Sequence, residues 1–279
     1  MLLKRVFSGI IIATLGVIFA WCSLLSWFLM VVTAILVCNY ELQLLVNEKK
    51  YNDNLIQTSS FILLILIDTF LSVRSLKNFD TLTLKNILPF IITKNTFIIG
   101  TLFLITFFIN IIKKPRISIG NFSFSIFRLI YLGFFPSYVI ILRSINNGEK
   151  YLLMLLFSCA FCDIFAYFVG KKFGKHKLIQ EISPNKTLEG SIGGTFASIF
   201  ISVVFSYFIN INYMHAIILG LIVSIISQIG DLVESLIKRD LGKKDSGNLI
   251  PGHGGLLDRI DSYILLGFPY LFYIVYVVL

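Results

Sequence analysis

Runs of about 20 consecutive, predominantly apolar residues recur along this chain, and no other feature limits its folds so tightly. A helix rising about 1.5 Å per residue needs that length to cross a hydrocarbon core about 30 Å thick. Lipid offers the backbone no hydrogen-bond partner, so a spanning segment must be a helix or part of a closed barrel. Barrel strands would show as short alternating segments, and the runs here are continuous. With 57% hydrophobic and 14% charged residues, no polar stretch reaches the length of even a small soluble domain. The expected fold is all-α: a polytopic integral membrane protein forming one membrane domain over residues 1–279. Residues 1–150 read as helical scaffold, and residues 151–279 hold almost all the polar clusters.

The apolar runs predict nine crossings, near 7–20, 23–47, 56–73, 87–112, 123–142, 151–170, 190–209, 213–237 and 260–279. Charge sets their direction. With the N-terminus inside, most cations fall on the cytoplasmic side, including Lys4, Arg5, Lys113, Lys114, Lys171, Lys172, Lys238 and Arg239. The outer side receives Arg74, Lys77, Lys85, Arg143 and Lys150. That asymmetry predicts N-in, C-out in a cell (inner) membrane. It also explains the net charge of +9 through short basic loops, with no need for nucleic acid as a partner. Cys22, Cys38, Cys159 and Cys162 all lie in apolar runs and read as small packing residues.

One segment breaks the apolar pattern. Between two lipid-length runs lie Ser235, Lys238, Arg239, Lys243, Lys244, Asp245, His253, Gly254, Gly255, Asp258, Arg259 and Asp261. Just upstream, Asp231, Glu234, Ser235 and Lys238 share one helix face, and Asp258 and Asp261 share another. Asp163 lies about 12 Å inside the sixth crossing, 151–170, counted from Lys171. Ionisable groups in a membrane helix are costly and default to paired or functional positions. These carboxylates all fall near one side, which predicts a polar cavity open to the cytoplasm. Carboxylates drawn together repel unless a cation joins them. Mg²⁺ takes oxygen ligands, commonly one or two carboxylates plus substrate phosphates. Lys238, Arg239, Lys243, Lys244 and Arg259 would neutralise a polyphosphate, and Gly254 and Gly255 would let backbone N–H groups approach it. A second polar loop carries Ser183, Pro184, Lys186, Thr187, Glu189 and Gly190, followed by Gly193 and Gly194. Thr187 or Ser183 would cap the next helix, while Lys186 beside the glycines would equally suit phosphate.

At these residues the chain resembles the phosphatidate cytidylyltransferases, the CDP-diacylglycerol synthases. Their signature runs S-x-apolar-K-R, four residues, K-D, a spacer, P or G, x, H-G-G, apolar, x, D-R-apolar-D. Ser235 to Asp261 satisfies every position. Asp163 to Gly174 and Ser183 to Gly190 look like the family as well, with Asn185 where lysine is common and Leu188 where tryptophan is common. The resemblance implies transfer of CMP from CTP to phosphatidic acid, giving CDP-diacylglycerol and pyrophosphate in phospholipid biosynthesis. It also implies Mg²⁺, an all-helical membrane fold and a homodimer. On it, Asp231 and Asp258 would be metal ligands, assisted by Asp261, with Lys238 and Arg239 completing the catalytic set. Ser235, Lys243, Lys244, His253, Gly254, Gly255 and Arg259 would bind substrate, with Asp163, Ser183, Lys186 and Glu189 completing the pocket.

Plainer readings stand beside these. Asp258, Arg259 and Asp261 would also serve as a helix cap and ion pair, and Lys243 and Lys244 as a solvated face attracting anionic lipid. His176 and His215 read as structural or interfacial, and Glu41 and Asp68 as helix-packing or paired groups. A CTP-dependent kinase of a polyprenol or other lipid alcohol would use a similar site, but its nucleophile would want a base and none is evident. An ion-coupled transporter would show internal symmetry and mid-membrane breaks.

Overall fold

A computed structural model describes residues 14–47, 54–74, 81–112, 119–243, 246–247 and 254–279. In chain order the elements are α1 (Leu24–Asn47), α2 (Leu55–Arg74), α3 (Thr81–Ile112), α4 (Ile119–Arg128), a π-helical stretch (Leu129–Phe134) and α5 (Phe135–Ser144). They continue with α6 (Gly148–Phe173), β1 (Lys177–Ile179), β2 (Ser183–Thr187), α7 (Leu188–Ile209), α8 (Tyr213–Asp240), α9 (Leu257–Ile264) and α10 (Gly267–Tyr273), and end in a π-helical turn (Ile274–Val278). Residues 14–22 are also helical. Among the described residues, eight helical segments are long and apolar enough to cross a membrane, from Leu24–Val46 to Leu257–Val278. The protein is therefore a polytopic helical membrane protein. Half of the expected first crossing, residues 7–13 of 7–20, lies outside the described residues.

The chain resolves into two compact units, one of residues 1–144 with 245–257, the other of residues 145–244 with 258–279. In the first unit, α1, α2, α5 and the π-helical stretch pack through buried Leu, Ile and Val side chains. Its interior also contains a buried guanidinium. Arg128 Nε donates to Asn39 Oδ1 at 2.7 Å, Nη2 donates to Asn39 O at 2.9 Å, and Nη1 donates to Gln43 Oε1. A charge this deep persists only when its donors are satisfied. Asp68 pairs with Lys94 at 2.7 Å, joining α2 to α3. The pairing expected of Asp68 is present.

In the second unit α6, α7 and α8 pack side by side. Helices in lipid gain nothing from hydrophobic exclusion of water, so close backbone approach and hydrogen bonds hold them together. Gly190 and Gly194 supply the approach. A Cβ on Gly190 would stand 2.6 Å from Ala166 O, and one on Gly194 would stand 2.7 Å from Cys162 O. Small polar residues supply the bonds: Ser158 to Ser202 at 2.9 Å, Thr195 to Ser224 at 2.7 Å, and Ser198 Oγ donating to Gly220 O at 2.9 Å. Between α6 and α7 the loop folds into an antiparallel hairpin, β1 with β2, in which Lys177 faces Thr187. Thr187 then caps α7, its Oγ1 accepting from Gly190 N–H at 3.2 Å.

Candidate active site

Polar residues of the second unit line one cavity of about 660 Å³. Helix α6 contributes Asp163, Ala166, Tyr167, Gly170 and Lys171. Asp163, Tyr167 and Lys171 recur every four residues and so share a face. The hairpin contributes Leu178, Asn185, Lys186 and Thr187, and α7 contributes Gly190 and Ser191. From α8 come Gln228, Asp231, Glu234 and Lys238, and from α9 come Asp258, Arg259, Asp261 and Ser262. Five carboxylates from three helices thus share one space.

Two lysines hold most of them. Lys186 Nζ lies 2.6 Å from Asp231 Oδ2. Lys238 Nζ donates to Asp258 Oδ1 at 2.7 Å and forms an ion pair with Glu234 one turn before it on α8. Glu234 is 1% exposed, and its Oε1 has no hydrogen-bond partner among the described residues. Asp261 is also buried, with Oδ1 accepting the Ser262 N–H at 2.8 Å. Ser235 Oγ donates to Asp231 Oδ1 at 3.4 Å and so braces that carboxylate.

Among the described residues, the other expected site residues do not line the cavity. Arg239 is exposed and ties the loops together, Nε donating to Ile182 O at 3.3 Å and Nη1 to Lys243 O at 3.5 Å. Glu189 accepts Lys175 N–H at 3.1 Å, His176 N–H at 3.2 Å and pairs with His176 Nδ1 at 2.7 Å, fixing the turn before the hairpin. Ser183 opens β2, and Lys243 follows the end of α8. Gly254 has φ +82°, a left-handed turn that suits glycine. Gly255 packs against Ser246 and Glu41: a Cβ there would collide with Ser246 Oγ and stand 2.7 Å from Glu41 Oε2. Lys244 and His253 lie outside the described residues. Sequence reasoning left out Gln228, Ser191, Asn185, Ser262 and Glu234 as site residues. Glu234 alone carried a signal, sharing a helical face with Asp231 and Lys238.

Chemically, the cavity combines hard oxygen donors with ammonium groups. Among the described residues no three carboxylate, histidine or cysteine side chains converge as a ready metal cage. The ammonium groups of Lys186 and Lys238 sit against the carboxylates instead. The donor set still fits a hard cation that completes its shell with phosphate oxygens, and the orphaned Glu234 oxygen is a buried site for positive charge.

Similarity to known proteins agrees with this chemistry. The phosphatidate cytidylyltransferase of Staphylococcus aureus (strain COL) is 42% identical over 156 residues, 55% of this chain and 59% of that protein. The phosphatidate cytidylyltransferase of Bacillus subtilis (strain 168) is 37% identical over 178 residues, 63% of this chain and 65% of that protein. The matched stretch therefore spans less than two thirds of either relative. The family pattern reaches much further, from residue 3 to residue 278, and by that match the chain belongs to the cytidylyltransferase family.

Proposed function

We propose that the protein is a CTP:phosphatidate cytidylyltransferase, forming CDP-diacylglycerol and pyrophosphate at the cytoplasmic face of a cell membrane. One observation carries the reading: the segment that matches the family signature contributes Lys238, Asp258 and Asp261 to the same cavity as Asp163, Lys186 and Asp231. A lipid phosphate is already an anionic nucleophile. Its oxygen attacks the α-phosphorus of CTP, the bond to the β-phosphate oxygen breaks, and pyrophosphate leaves with that electron pair. No general base is required, so positioning and charge neutralisation supply the catalysis.

Lys186 and Lys238 are the cations that meet the incoming phosphates. Each is held by a carboxylate, so a phosphate dianion arriving between them competes for the same ammonium groups. When Lys186 turns to phosphate, Asp231 is released. Asp231 and Asp258 would then hold Mg²⁺, with Asp261 assisting. The bound ion would supply Lewis-acid neutralisation of the triphosphate charge. Asp163 and Tyr167 lie on the α6 face of the cavity. The homodimer goes with this reading on the family resemblance alone.

The test is purified protein with CTP, Mg²⁺ and phosphatidic acid. CDP-diacylglycerol and pyrophosphate are expected, whereas CDP with a phosphorylated lipid alcohol would indicate a kinase. Asp231→Asn and Asp258→Asn should each lower turnover by at least about 100-fold, as expected for groups that stabilise transition-state charge. Full activity in both variants would remove these carboxylates from the mechanism.

A further inference from the structure

Glu41 lies in α1, far in sequence from every polar cluster of the proposed site, yet it is fully buried in a membrane-spanning helix. Its partners explain it. Oε1 accepts the Leu256 N–H at 2.8 Å and Oε2 accepts the Leu257 N–H at 2.8 Å. Ser246 Oγ lies 3.5 Å from Oε2. The Cβ positions that Gly247 and Gly255 lack face the same carboxylate, at 3.4 Å and 2.7 Å from its oxygens. One side chain thus meets two parts of the stretch between α8 and α9, residues 246–247 and 255–257, both in the first compact unit.

The two N–H groups are those at the start of α9. The first amides of a helix have no partner within it, and the helix dipole favours an anion there. A carboxylate accepting both satisfies them from outside the helix. The next residue in the chain is Asp258, and Asp261 follows within one turn. Gly255 is then required by the room that the Ser246 hydroxyl and the Glu41 carboxylate occupy, which gives the second glycine of the signature a reason independent of phosphate.

We propose that Glu41 is a positioning residue. Its buried carboxylate fixes the first turn of α9, and through that backbone it sets where Asp258 and Asp261 point. The inference rests on the proposed cytidylyl transfer for its kinetic consequence, but not for the anchor itself.

The experiment uses the full chain in lipid nanodiscs. Hydrogen exchange in the wild type should be slow at the Leu256 and Leu257 amides. Glu41→Gln keeps the volume but presents an NH₂ group to one of these donors. Exchange at both amides should speed up. Turnover should fall about 10- to 100-fold, the cost of misplacing reacting groups by about an ångström. The KM for phosphatidate should stay unchanged. A packing role would tolerate the isosteric glutamine, so wild-type turnover in Glu41→Gln would overturn the proposal. Rapid exchange of both amides in the wild type would overturn it too, and that result is obtained even if the variant fails to fold. A wild type inactive with CTP and phosphatidate would instead sink the proposed reaction, leaving exchange to decide the anchor.

Discussion

Lys238 shows how much one side chain does in this cavity. It sits between Asp258 and Glu234, at 14% exposure against 11% and 1% for its two partners. Removing a partner from a buried ionic cluster leaves an uncompensated charge, which costs about 3–5 kcal/mol. Lys238→Met keeps much of the side chain's bulk and removes its charge. Its thermal midpoint in nanodiscs should drop clearly below wild type, and turnover should vanish. Adding Glu234→Gln should restore part of the stability, because the buried carboxylate is neutralised, while leaving turnover absent. A Lys238→Met protein that melts like wild type would show that the three groups do not act as a unit. The face shared by Asp231, Glu234 and Lys238 was legible from helical spacing. That Lys238 bridges to Asp258 was not, because the two lie 20 positions apart in sequence, beyond the reach of any helical period.

At the scale of elements, the contact of α6 with α7 shapes the cavity, since Asp163, Ala166 and Gly170 face Gly190 and Ser191 across it. In sequence the glycines of this region were read only as neighbours of Lys186 that suit phosphate. Their surroundings make a helix-packing seam: Gly190 and Gly194 each meet a backbone carbonyl of α6. Backbone cannot give way as a flexible side chain does, so Gly194→Ala must push the helices apart, at a cost of about 1–3 kcal/mol. The KM for CTP should rise as the walls of the cavity separate, with a smaller change in kcat. An unchanged midpoint and KM would mean the seam relaxes freely. The hairpin of Lys177–Ile179 and Ser183–Thr187 was not legible in the sequence. Its strands are three and five residues long, half of their residues are exposed, and they show no apolar alternation.

For the whole molecule, hydropathy alone located the crossings, because length and continuity of apolar runs are local properties. The spans found at 148–173, 188–209 and 213–240 lie within three residues of the expected ends. Membership of residues 245–257 in the first compact unit could not be read the same way. It depends on Glu41 meeting Leu257 across 216 positions of sequence, and no window reports such a pairing. Orientation is the remaining property that charge predicts, and α6 offers a direct check. Its 26 residues span about 39 Å, more than the hydrocarbon thickness, so its two ends must emerge on opposite sides. Asn146 is exposed at the start of the helix, and Lys177 is exposed on the hairpin beyond its end, beside the cavity. Cys22 is the one exposed cysteine among the described residues, so Cys22→Ser provides a quiet background. In sealed right-side-out vesicles, a membrane-impermeant maleimide should label Asn146→Cys at once and Lys177→Cys only after permeabilisation. The reverse pattern would put the hairpin and its lysines outside, away from CTP, and would defeat the charge argument and the proposed reaction together.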